Sequence, residues 1–252
     1  MKEFERMMDE LKQLIADERR NLHIEIDHEK LSAFKETISE LANIKNEYKS
    51  NLSQLRNLTE REVGQFEYSK GGETIHRGYY CPSPIYDLIV GNAKRGRLLK
   101  KKPEFGKYSY EYGFDNQDRL IRVRGVNEFT TPISRFDEEY LIYEKDIIYS
   151  VEFSNTGEIN VVSKCTYNDG NIVKYERSLV IFEEDADLHF EKYYYKNNKL
   201  SEVSIFQVTP SIEMYGEQKY TVELNEDEQI VKLVGGSIEN GIQEKSVFNF
   251  KK

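Results

Sequence analysis

The chain holds few side chains suited to catalysis, and their spacing decides what they could do. There are four histidines, His23, His28, His76 and His189. None belongs to an HExxH helix, and none stands with a cysteine at zinc-ligand spacing. His23 and His28 flank an expected helix start, and His189 alternates with Leu188 and Phe190 as a solvent-facing strand residue. A thiolate nucleophile needs a base within hydrogen-bond reach. Cys81 with His76 is the only such pairing, in a turn-rich segment that also holds Arg77, Tyr79 and Tyr80. An enzyme or small-ligand site between helices and sheet would be built there.

The segment Gly91–Gly96 fails as a phosphate loop, because its Lys is not followed by Ser or Thr after the second glycine. Three acidic runs, Asp137-Glu138-Glu139, Glu183-Glu184-Asp185 and Glu226-Asp227-Glu228, lack the alternating ligands, glycine and distal glutamate of a calcium loop. They are read as solvated hairpin tips. No catalytic residue, metal site or cofactor is implied. The basic cluster Lys94, Arg95, Arg97, Lys100, Lys101 and Lys102 suits a helix C-terminus or an internal complement to acid. Nucleic acid is a poor partner for a chain of net charge −9.

The elements that must position these groups fall into three regions. Residues 1–62 read as helical. Phe4, Met7, Met8, Leu11, Leu14 and Ile15 follow helical spacing, and Asn21–Asp27 interrupts them. Asp27 then caps a second helix from His28 to about Leu58, roughly 46 Å long. Its stripe is Leu31, Phe34, Ile38, Leu41, Tyr48, Leu52 and Leu55. Such a stripe either covers a sheet or joins two copies of the chain in a homodimer. Residues 63–106 read as a connector, with Ser83 and Pro84 opening a short basic helix that ends before Pro103.

From Lys107 onward the chain reads as strands. Aromatic or Leu residues are followed five or six positions later by Leu or Ile, across a polar turn. The copies are Phe114 to Leu120, Phe153 to Ile159, Tyr167 to Ile172, Tyr195 to Leu200 and Leu224 to Ile230, with a looser one from Phe182 to Leu188. The flanks alternate apolar and polar, so each strand should have one buried and one wet face. The expected fold is α+β: an N-terminal helical hairpin, then an antiparallel β-meander of about 9–12 strands over residues 107–252, one face covered by helix.

Composition narrows the class further. A hydrophobic fraction of 38% is low, and 18 Tyr and 13 Phe compensate by burying large areas in pleated sheets. Two cysteines, Cys81 and Cys165, make no disulfide framework and read as reduced buried thiols. The charged N-terminus is no export signal, and no run approaches the ~20 apolar residues of a membrane span, so a cytoplasmic location is expected. Residues 107–252 carry 17 Lys and Arg against 27 Asp and Glu, net −10. Such a surface steers basic protein partners toward it.

The segment Tyr112-Gly113-Phe114-Asp115-Asn116-Gln117-Asp118-Arg119-Leu120 resembles one unit of the YD (Rhs) repeat, with Asp118 where glycine is usual. Tyr193-Tyr194-Tyr195-Lys196-Asn197-Asn198-Lys199-Leu200 resembles the variant MORN pattern, with Asn198 in the glycine place. Each match covers fewer than ten residues, and both families are β-hairpin repeats. More broadly, an acidic Tyr-rich meander without an active-site constellation is similar to immunity proteins that neutralise polymorphic bacterial toxins. That resemblance implies a protein-binding inhibitor that occupies the basic cleft of a toxin domain stoichiometrically. Glu183, Glu184, Asp185 and Asp187 are the expected partner contacts.

Overall fold

A computed structural model of the protein describes residues 28–71, 77–85, 96–126, 136–179, 186–209, 214–239 and 241–250. The expected first helix of the hairpin, over residues 4–15, lies outside them. The described chain is α+β, with two α-helices preceding an antiparallel meander; fourteen strands are formed among the described residues. It divides into two compact units, Met1–Ser39 with Phe182–Lys252, and Glu40–Ile181.

The long helix expected from His28 breaks once. Helix α1 runs His28–Tyr48 and α2 runs Leu52–Glu62. The break has a local cause. Ser50 and Asn51 compete for backbone hydrogen bonds, and the Asn51 side-chain amide donates to the Glu47 carbonyl at 3.0 Å. Leu31, Phe34, Leu41 and Leu55 of the apolar stripe are buried.

The Glu40–Ile181 unit contains β1 (Gln65–Lys70), β2 (Arg97–Leu99), β3 (Ser109–Phe114), β4 (Leu120–Val126), β5 (Asp137–Glu144), β6 (Ile147–Phe153), β7 (Ile159–Asn168) and β8 (Asn171–Leu179). Their order is β2-β1-β3-β4-β5-β6-β7-β8, each pair antiparallel. Strands β1 and β2 come from the stretch read as a connector, and Arg97 is in a strand rather than the expected basic helix. Lys100, Lys101 and Lys102 follow that strand outside any helix, and residues 86–95 of the expected helix lie outside the described residues.

The other unit contains β9 (Asp187–Lys196), β10 (Lys199–Thr209), β11 (Met214–Leu224), β12 (Ile230–Glu239), β13 (Ile242–Gln243) and β14 (Ser246–Asn249). Strands β9 to β12 pair in sequence, and β12 pairs with both β13 and β14. The first half of α1 packs there. Phe34 sits 5.5 Å from Phe190 and 5.4 Å from Phe206, centroid to centroid, and Lys30 bonds Glu217 at 3.1 Å.

The five clean sequence repeats are hairpins, and each repeat's two marker residues are cross-strand partners. Where the spacing is six, the loops at 115–119, 154–158 and 225–229 share one hydrogen-bond pattern. The first residue's N–H donates to the fifth residue's carbonyl at 2.8–3.0 Å, and the fourth donates back to the first at 2.9–3.1 Å. The fourth residue is left-handed in all three, as Asp118 (φ 59°), Gly157 (φ 92°) and Glu228 (φ 59°). Asp118 therefore makes the turn that the usual glycine would make. Asn197 (φ 53°) and Asn198 (φ 60°) likewise close the MORN-like hairpin through two left-handed residues.

The expected single wet face is not found in the Glu40–Ile181 unit. All six residues of β3 are buried, and β4 is buried at every position but Arg124. One face meets the helices, where Arg56 reaches Glu138 and Lys164 reaches Glu40 at 2.7 Å. The other is covered by residues 77–85, whose 3-10 turn Gly78–Tyr80 packs on Tyr112 and Phe114. The connector is thus a second cover.

Left-handed backbone costs a side-chain-bearing residue roughly 1–2 kcal/mol, and Glu228 has only an exposed ion pair with Lys199 to offset it. Glu228→Gly is expected to raise stability by about 1 kcal/mol, read as a higher urea midpoint at unchanged slope.

Candidate functional site

Strand β5 opens with Asp137-Glu138-Glu139. Consecutive strand residues point to opposite faces, so these two glutamates enter different environments. Glu138, only 4% exposed, faces the helices. Arg56 of α2 donates through Nε to its Oε2 at 2.5 Å, Arg124 of β4 donates through Nε to its Oε1 at 2.9 Å, and the Tyr140 hydroxyl adds a bond at 3.1 Å. Glu111, Arg124 and Glu138 lie side by side across three strands. Arg122, two residues from Arg124, is buried, donates to Glu111 at 3.3 Å and lies over the Phe66 ring. Burial and the neighbouring Arg124 charge lower its pKa, against the pull of Glu111.

Glu139 faces the connector. Arg77 donates to it at 2.6 Å, and the Ser150 hydroxyl donates to the same oxygen. Burial works against the Arg77 charge, but Glu139 together with the nearby Cys165 and Tyr175 more than offsets it and the pKa is raised. The cross-strand neighbour of Glu139 is Glu152. Burial pushes the Glu152 carboxyl up to about 7; Glu139 and Asp137 add to the rise, while Arg177 and Arg77 oppose it. The connector is pinned here by tyrosines. The Tyr112 hydroxyl donates to the Arg77 carbonyl and accepts from the Tyr79 N–H, both at 2.9 Å, and Tyr80 donates to Glu67 at 2.5 Å. Gly78 allows this approach. Its φ is 57°, and an added Cβ would stand 2.7 Å from the Tyr112 hydroxyl.

The structure thus brings Arg77, Tyr79, Tyr80 and Cys81 together on one face of the sheet. His76, the proposed base, lies outside the described residues. Cys81 is buried, with Sγ 3.7 Å from the Ser83 carbonyl, which suits a structural thiol. The run 137–139 is not a solvated tip. It begins a strand, so its glutamates are carried inward to arginines. The run 226–228 does form an exposed turn. Glu183, Glu184 and Asp185 lie outside the described residues, and Asp187 is exposed at the start of β9. His189 is not a freely solvated strand residue: its Nε2 is 2.7 Å from Oε1 of Glu191, a fully buried carboxylate that also accepts from Tyr193.

A pocket of about 480 Å³ opens beside Glu138, within the size range of small-molecule sites. Leu52 and Phe136 form its apolar walls; Arg56, Arg124 and Glu138 supply charge; the β6–β7 turn 155–157 closes one side. Sequence reasoning missed Arg56 and Arg124. A usable signal was present, since Arg122 and Arg124 alternate within the otherwise apolar strand Leu120–Val126. Among the described residues no three His, Cys, Asp or Glu side chains converge as metal ligands. No described helix is long and apolar enough to cross a membrane.

Removing one partner of a buried ion pair leaves an uncompensated charge, at a cost of about 3–5 kcal/mol. Arg77→Met is expected to lower stability by about 3 kcal/mol, and adding Glu139→Gln to recover part of it, both measured by urea unfolding. Glu152 carries a separate pH signature. Its folded pKa lies above the unfolded value, so the folded state binds the proton more tightly. Its contribution is greatest below the unfolded carboxylate pKa and is lost as pH rises through about 7. Glu152→Gln should flatten that decline in a plot of urea midpoint against pH; an unchanged slope would contradict the assignment.

Comparison with protein-family models, with curated proteins and with solved structures found no match.

Proposed function

We propose that the protein is a protein-binding inhibitor of the immunity type, engaging a basic toxin domain stoichiometrically through acidic hairpin tips. One observation carries the reading. In the Glu40–Ile181 unit the antiparallel alternation brings the β3–β4, β5–β6 and β7–β8 turns to the same end of the sheet. Those turns expose Asp118, Glu144, Asp146 and Asp169. Among the described residues of these turns the cations are Lys145 and Arg119, and Arg119 is held by Asp115 at 2.7 Å. The buried glutamates Glu111, Glu138 and Glu139 are paired with arginines, whereas the four tip carboxylates are exposed. Clustered surface charge of one sign accelerates encounter with a complementary cleft and suppresses wrong partners.

Co-purification with the product of the neighbouring open reading frame tests this. A one-to-one complex is expected, with an association rate that falls as salt is added. Changing Asp118, Glu144, Asp146 and Asp169 together to Lys should slow association by about tenfold or more, with the unfolding midpoint nearly unchanged because all four are exposed. Failure to form a complex, or a complex indifferent to the four changes, would remove the proposal.

A further inference from the structure

We propose that the pocket between α2 and the β4–β5 strands binds a small organic anion, with a carboxylate or phosphate group held by Arg56 and Arg124 and an apolar body against Leu52 and Phe136. This site is separate from the acidic tips and does not depend on them.

The argument begins with Glu138. Each of its oxygens takes the Nε of a different arginine, at 2.5 and 2.9 Å. A guanidinium is a rigid planar fork, so fixing Nε also fixes where its terminal nitrogens point. For Arg124 those terminal nitrogens are poorly served: Nη1 is 3.7 Å from Glu111 and Nη2 is 3.8 Å from Glu60, beyond hydrogen-bond length. Two arginines and one glutamate line the pocket, and Glu111 and Glu60 stand near Arg124 without bonding it, so the offer to a ligand is guanidinium N–H groups of poor partnership rather than a net charge. A carboxylate or phosphate would accept paired N–H bonds from them.

The rest of the lining sets the body of the ligand. Phe136 is held edge-on by Phe105, with ring centres 5.0 Å apart, and presents a fixed aromatic wall. Leu52, at the start of α2, adds a second apolar side chain to the lining. Gly157, left-handed at φ 92°, keeps the β6–β7 turn close to Leu52, where an added Cβ would already be in contact at 3.4 Å. Because Glu138 orders both arginines in the absence of ligand, little side-chain entropy remains to be lost on binding, which favours affinity.

Calorimetric titration of the full chain with benzoate, phenyl phosphate and phenol tests the inference. At least one of the two anions should bind saturably at one-to-one stoichiometry, at least about tenfold tighter than phenol. The relative strength of benzoate and phenyl phosphate identifies the preferred group. Arg56→Gln removes a half-exposed charge and should weaken that binding about tenfold or more. Thr156→Trp, at an exposed turn position, should block the pocket equally while leaving the unfolding midpoint unchanged. The inference is overturned if neither anion binds by about 10 mM, if phenol binds as tightly as they do, or if both variants bind like the parent.

Discussion

Two adjacent glutamates, Glu138 and Glu139, govern the organisation of the larger unit. Pleating sends neighbours to opposite faces of β5, and a carboxylate removed from water must be met by charge and hydrogen bonds. Glu138 is met by Arg56 and Arg124, and Glu139 by Arg77 and Ser150. Covering only one face would have left one of them unpaired by a distant element. The sheet is therefore covered on both sides, by α2 on one and by the connector on the other. The Tyr112 hydroxyl and Gly78 place the connector backbone so that Arg77 arrives at the right depth.

The hairpins follow a different logic, local and repeated. Three five-residue loops share one hydrogen-bond pattern and one left-handed fourth position, whether that residue is Asp, Gly or Glu. Each closing pair is set off from its ladder by a register shift. A shift of one residue exchanges the two faces of a strand. That is why Ile159 stays beside Phe153 while Val161, two positions on, pairs with Glu152. Simple alternation read along β7 places Ile159 and Val161 on one face; the bulge separates them.

Charge is divided by depth as well as by sequence. Inside the larger unit Glu111, Glu138 and Glu139 are matched by Arg122, Arg124, Arg56 and Arg77, so the interior is nearly neutral despite its many ions. Acid remains in excess on the turns at one end. The same sheet thus carries exposed carboxylates on its turns and, separately, a pocket lined by guanidinium N–H groups.

Several features were legible in the residues alone. Marker pairs such as Tyr167 with Ile172 and Leu224 with Ile230 identify the hairpins, because turn chemistry is local and depends on residues a few positions apart. The α+β order and the buried stripe Leu31, Phe34, Leu41 and Leu55 were legible for the same reason. The destinations of Glu138, Glu139, Arg77 and Arg56 were not. Their partners lie 62 to 82 residues away in the chain, and no local pattern states which charges will meet once β1 joins β3 and the connector folds over the sheet. The strands and turns were set by near-neighbour chemistry; the ion pairs and the pocket were decided only by tertiary structure, because burial converts distant charges into obligate partners.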